Sequence, residues 1–210
     1  MHYCKKIKPI LWVVLLSLFT HVALAGNSSL SVRSAELVAV DDFFVLNADV
    51  DMKFSQKVEE AISKGFVLNF LVEFQLAQPR KYWFDDEIVT VVHELALSYH
   101  ALSRQFLVTR GDQQKAFVRL DEALDDLSDI SGLKVFKKSE LDKDESYKAA
   151  FLMRLDTKKL PQALQGDSVG AEDWKMSTQR FEWVPNLVNN PVKPEMKAEP
   201  NPEVKLEPAK

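Results

Sequence analysis

From Phe44 to Phe54 every even-numbered residue is apolar (Phe44, Leu46, Ala48, Val50, Met52, Phe54), with Asn47, Asp49, Asp51 and Lys53 standing between them. The backbone that separates residues in this way is a strand, because its side chains point alternately to two faces. Phe66, Leu68, Phe70, Val72, Phe74 and Leu76 repeat the pattern. So do Tyr147, Ala149, Phe151, Met153 and Leu155, opposed by Lys148, Arg154 and Asp156. Strands of a parallel sheet are usually apolar on both faces, so clean alternation predicts antiparallel sheet covered on one side. These three stretches give strands near 44–54, 66–77 and 146–157. Others are expected near 32–40, 88–97, 102–110 and 115–118, with Arg110-Gly111-Asp112-Gln113 as a hairpin turn before the last.

Two short helices interrupt the strands. In 55–64, Ser55 can cap, Val58, Ala61 and Ile62 form an apolar stripe, and Gly65 stops the turn. In 119–130, Leu120, Ala123, Leu124, Leu127 and Ile130 share a face, and Ser131-Gly132 ends it. The expected class is α+β: a mainly antiparallel sheet with two short amphipathic helices. A folded unit of about 160 residues buries roughly 70% of its unfolded surface, enough for a core of its own.

Both ends of the chain read differently from the middle. Lys5, Lys6 and Lys8 precede an apolar run from Ile10 to Phe19, which leads to Ala23-Leu24-Ala25. A basic start, a short apolar middle and a small-x-small exit form a secretory signal peptide, cleaved near Ala25. The run is shorter than the roughly 20 residues that a membrane anchor needs, and no later stretch is long and apolar enough to span. The expected location is periplasmic or secreted. Residues 26–184 form the expected globular domain. Six of the nine prolines lie in 185–210, without apolar periodicity, and this segment reads as a disordered tail.

Composition excludes several chemistries. The one cysteine, Cys4, falls inside the export segment, so a cleaved chain has no thiol nucleophile, disulfide or Cys-type zinc site. Removing residues 1–25, with three lysines and no acids, takes the formal charge from −4 to −7. An acidic chain without a basic run is a poor nucleic-acid binder. No two glycines have G-x-G spacing, and neither a phosphate loop nor G-x-S-x-G is present. His93 and His100 are seven apart. On one strand they face opposite ways, about 23 Å from each other at ~3.3 Å per residue, and cannot share a metal. No cofactor or metal is expected.

Two segments carry candidate sites. In Tyr82-Trp83-Phe84-Asp85-Asp86-Glu87, aromatics could stack on a sugar ring while Asp85, Asp86 or Glu87 supply acid and base. The same residues would serve equally as a strand connection whose aromatics fold onto the core. From Ser98 to Phe106, polar Ser98, Tyr99, His100, Arg104 and Gln105 mix with Leu102 and Phe106. Together with Trp83 they could form a recognition patch, or they could be a strand crossing with paired polar groups.

The runs Arg80-Lys81-Tyr82-Trp83-Phe84-Asp85-Asp86-Glu87 and Leu97–Phe106, with Arg154-Leu155-Asp156, Lys159-Leu160-Pro161, Asp173-Trp174 and Trp183, resemble a secreted bacterial family known as domain of unknown function 4390. The resemblance covers about residues 30–184. It implies export and one globular domain, with no activity, substrate or catalytic residue to carry over. It also implies a link to envelope signalling, since members are often encoded beside a membrane sensor kinase. The expected function is a non-catalytic extracytoplasmic interaction or sensor-accessory protein, whose partner is an envelope protein such as that kinase. Missing catalytic signatures favour this over an enzyme. One alternative is an envelope glycan binder or glycoside hydrolase using Tyr82–Glu87. Another is a carrier of a lipid-like ligand, which needs an apolar cavity of at least ~300 Å³.

Overall fold

The computed structural model describes residues 27–80, 82, 85–142, 145–164 and 171–187. Residues 1–26, where the export signal is expected, Trp83, and residues 188–210 of the expected tail lie outside the described residues. Nine strands are present among those described: β1 (Ser29–Val40), β2 (Phe43–Lys53), β3 (Leu68–Gln78), β4 (Asp86–His100), β5 (Gln105–Arg110), β6 (Gln113–Phe117), β7 (Asp129–Lys137), β8 (Lys148–Leu155) and β9 (Phe181–Trp183). The helices are α1 (Gln56–Ser63) and α2 (Leu120–Ser128). The strands form two antiparallel sheets, one ordered β1-β2-β7 and the other β6-β5-β4-β3-β8-β9. The α+β, sheet-dominated class expected from alternation is the observed one.

The alternation works because each sheet buries one face against the other. Leu46 and Val50 from the small sheet, and Leu68, Phe70, Phe74, Leu76, Phe151 and Met153 from the large one, are fully buried in one core. Phe136 of β7 joins the layers, with its ring 5.0 Å from Phe44 and 6.0 Å from Phe74. Fully burying side chains of this size contributes about 1.5–3 kcal/mol each, so the period-two pattern sets the register of every long strand.

Each helix carries the chain from one sheet to the other. α1 follows β2 and leads into β3; α2 follows β6 and leads into β7. Val58, Ala61 and Ile62 bury the stripe of α1, and Gly65 ends it at φ +94°, where a glycine pays no steric cost. Ser55 stands at the N-cap position but its hydroxyl makes no capping bond. Its backbone N–H instead donates to Ser28 Oγ at 2.9 Å.

The second helix is shorter than expected. It ends at Ser128, and the chain enters β7 at once, a strand the sequence reading left out. Ser131-Gly132 does not end the helix. Those two residues oppose the single Asn47 in a bulge, with Gly132 at φ +69° and its N–H donating to Asn47 Oδ1 at 2.9 Å. A second irregularity at Val135 lets adjacent Val135 and Phe136 both be buried. After Val184, Pro185 is buried and Leu187 packs against the core.

Candidate functional site

β4 is an uninterrupted strand of 15 residues, and its two ends carry the two candidate segments. The distance along it from Asp86 to His100 is about 46 Å at ~3.3 Å per residue. Trp83 lies outside the described residues. Its neighbours Tyr82, 85% exposed, and Asp85 stand before the start of β4, whereas Ser98, Tyr99, His100, Arg104 and Gln105 gather at the far end. The residues of the expected patch therefore do not converge with the loop that holds Tyr82 and Asp85.

The far end is a hairpin. Ser98 pairs with Leu107, Tyr99 with Phe106 and His100 with Gln105, and Ala101–Arg104 form the turn. Tyr99 lies on the same face as buried Leu97 and meets the Phe106 ring at 5.0 Å, so it anchors the hairpin to the core. Ser98, His100 and Gln105 share the opposite face. His100 Nδ1 lies 2.9 Å from Ser103 Oγ and accepts from the Ser103 backbone N–H at 3.3 Å. Arg104 takes φ +55°, which lets the turn close onto β5. Leu102 projects from this tied turn, 92% exposed.

Each of the three acids near the start of β4 has a partner. Asp85 accepts from the Arg80 backbone N–H at 3.3 Å, Asp86 forms an ion pair with Arg80, and Glu87 accepts from Gln75 Nε2 at 3.0 Å. Asp86 and Glu87 are adjacent on a strand and point to opposite faces. Asp86 and Glu87 are therefore not a facing carboxyl pair of the kind glycoside hydrolysis uses.

Sequence reasoning missed a slot between the sheets at the middle of β4. His93 pairs with Val72 of β3 and turns inward, away from the face that His100 occupies. β5 stops at Arg110, beside Leu95, so no strand continues alongside His93. Above it lies β7, the bulged edge of the small sheet. The result is a cavity of about 190 Å³ walled by Val72, Leu95, Ile130 and Leu133, with His93, Glu94, Arg110 and Ser131 as its polar residues. His93 Nε2 is buried with no protein group to bond, and burial holds the imidazole below its ordinary pKa. Arg110 donates to the Asp126 carboxylate and to the Asp126 and Asp129 carbonyl oxygens. Asp126 also accepts from Lys115 Nζ at 2.7 Å. Burial opposes ionisation of Asp126, but hydrogen bonds from Lys115 and Arg110 outweigh it and hold the carboxyl below its ordinary value.

A larger cavity, about 480 Å³, lies at the rim where the chain leaves β9. Phe44, Leu141, Tyr147, Pro185 and Leu187 line it, with Lys138, Asp142 and Glu145 among its polar groups. The lipid-carrier reading expects its cavity between sheet and helices. This one lies outside the core, whose interior is filled by Phe70, Phe74 and Phe151.

The architecture is that of a two-layer antiparallel α+β domain with one projecting hairpin and one lateral slot. The chain belongs to the family described as Domain of unknown function (DUF4390), whose profile matches residues 27–184. No curated protein and no solved structure matches the chain. Among the described residues no helix is long and apolar enough to cross a membrane.

Proposed function

We propose that the protein is a non-catalytic interaction module of the cell envelope, acting outside the cytoplasm as an accessory to a membrane-bound partner. The observation that carries this reading is the β4–β5 tip. Leu102 is 92% exposed on a turn fixed by the His100–Ser103 bonds and followed by Arg104. A large apolar side chain presented to water on a hydrogen-bonded turn can supply the anchor around which an interface forms. Its complement is an apolar socket rimmed by carboxylates that would meet Arg104. The family resemblance implies a membrane sensor kinase as the first partner to test. Export is supported by the lysine-rich start, the apolar run and Ala23-Leu24-Ala25.

The test uses a photo-crosslinking residue at position 102 in the full chain, expressed in cells, with the adducts identified by mass spectrometry. One envelope protein should dominate, and Leu102→Asp should reduce its recovery with the purified chain at least tenfold without moving Tm. Equal recovery with Leu102→Asp excludes the hairpin as the contact, and fractionation of the chain with the cytosol excludes the envelope role.

A further inference from the structure

We propose that the free edge of β1, from Ser34 to Val40, pairs with an extended, proline-free segment of a partner protein that is apolar on one face and carries a lysine or arginine on the other. Sheet edges offer unpaired N–H and C=O groups, and proteins blunt them with short strands, bulges and charges. Four of the described strands are edges. β6 has five residues and β9 three, and β7 is bulged twice. β1 is different. Its one bulge is at Arg33, whose guanidinium is tied to Asp49 and Asp51. From Ser34 to Val40 the strand runs in register with β2, with no proline and a single charge, Glu36. Among the described residues the backbone of this run bonds to β2 alone.

The layers leave a place for one more strand beside it. β7 packs on β4 and β1 on β8, so β9, the last strand of the large sheet, lies beyond β1. On the opposite side the overhanging β5 and β6 carry α2. Phe181 and Trp183 of β9 pair with buried Phe151 and Ala149, so their rings face the core side, 5.6 Å apart, yet both are only half-buried. Leu37 of β1 faces inward opposite buried Leu46 and is half-buried too. A fourth strand on β1 brings its inward side chains over the two rings and beside Leu37, which selects apolar residues at alternate positions. On the outer face Glu36 is exposed and has no cationic partner among the described residues, which selects a basic residue opposite it. Residues 185–210 do not meet this description, because their prolines leave no run longer than five residues.

The experiment titrates an acetylated peptide of about eight residues, valine alternating with threonine and one central lysine, into the isotope-labelled full chain, observed by NMR. Saturable shifts should appear at Ser34–Val40 and at the Trp183 indole. Alternate amides of that run should exchange with solvent at least tenfold more slowly in the complex. Two further peptides carry N-methyl groups along one edge or the other. One of them should bind within about twofold of the parent peptide, and the other at least tenfold more weakly. Glutamate in place of the lysine should weaken binding about threefold, the scale of an exposed ion pair, and Glu36→Lys should reverse that preference. Circular dichroism establishes that the variant is folded. Equal binding of the two methylated peptides overturns the proposal, as does a lysine preference that survives Glu36→Lys. The absence of saturable shifts in Ser34–Val40 at millimolar peptide also overturns it. Shifts at Leu37 that grow with protein concentration alone, together with a dimer in sedimentation, overturn it in favour of a second copy of the chain.

Discussion

His93 and Asp126 both make stability decline as pH falls, but in two separate windows. Burial lowers the His93 pKa below the ordinary value of about 6.5. The unfolded chain therefore takes up a proton there before the folded one does, and stability declines as pH falls below about 6.5 until the folded value is passed. Replacing His93 by Phe should flatten this decline between pH 7.5 and 5.5 in urea-unfolding series. An unchanged slope would mean that His93 is not the group responsible. Asp126 acts in a lower window. Its folded pKa is depressed, so its contribution is complete above the unfolded carboxyl value of about 3.9 and is lost as pH falls through the folded value. Asp126→Asn keeps the shape, removes the charge and leaves Arg110 and Lys115 without their anion. It should cost about 1.5–3 kcal/mol at pH 7, the range for hydrogen bonds to charged groups. It should also make the variant less sensitive to acid below about pH 4 than the parent chain.

At the scale of elements, neighbours on β3 separate the two faces of the large sheet. Phe70 is fully buried and its ring stacks 6.2 Å from Phe54, while Leu71 is half-buried on the outer face. Phe70→Ala should cost about 3–5 kcal/mol, as large aromatic truncations in cores do. Leu71→Ala should cost less than about 1 kcal/mol. Chemical denaturation of the two variants checks the register directly, since a one-residue slip would exchange the two values. This alternation is why β2, β3 and β8 were legible from sequence within about two residues at each end. β7 was not. Its bulges place Ile130, then Leu133, then adjacent Val135 and Phe136 inward, which breaks the period of two. Ile130 also completes the helical stripe of α2, so it read as helix. The slot was hidden for a related reason: it depends on where β5 ends and on β7 being an edge, and neither fact is local. The hairpin at Ser98–Gln105 was visible as a polar–aromatic cluster. Its separation from the Tyr82–Glu87 segment was not, because that requires β4 to run unbroken from Asp86 to His100 rather than as the shorter strand 88–97.

The whole molecule closes at its C-terminal end in a way that composition concealed. The proline-rich stretch begins at Pro185, and proline-rich composition reads as linker from its first residue. Pro185 is nevertheless buried, and Leu187 packs against the core and lines the rim cavity together with Phe44 and Tyr147. β9, which precedes them, is only three residues long and is held on one side by β8, so Val184–Leu187 act as its clasp. Trp183 stands against Phe74 at 6.3 Å and Phe181 at 5.6 Å, so loosening the clasp reaches the core. A chain truncated after Leu187 should match the full-length protein in stability to within about 0.5 kcal/mol, as changes away from packed features do. One truncated after Trp183 should lose about 2–3 kcal/mol, since it gives up two apolar side chains and exposes Tyr147 and Phe44. Thermal unfolding of the two, with tryptophan fluorescence as the probe, separates the clasp from the residues beyond it. Equal stability of both truncations would place the end of the domain at Trp183. A large loss on removing only residues after Leu187 would make the proline-rich segment part of the fold.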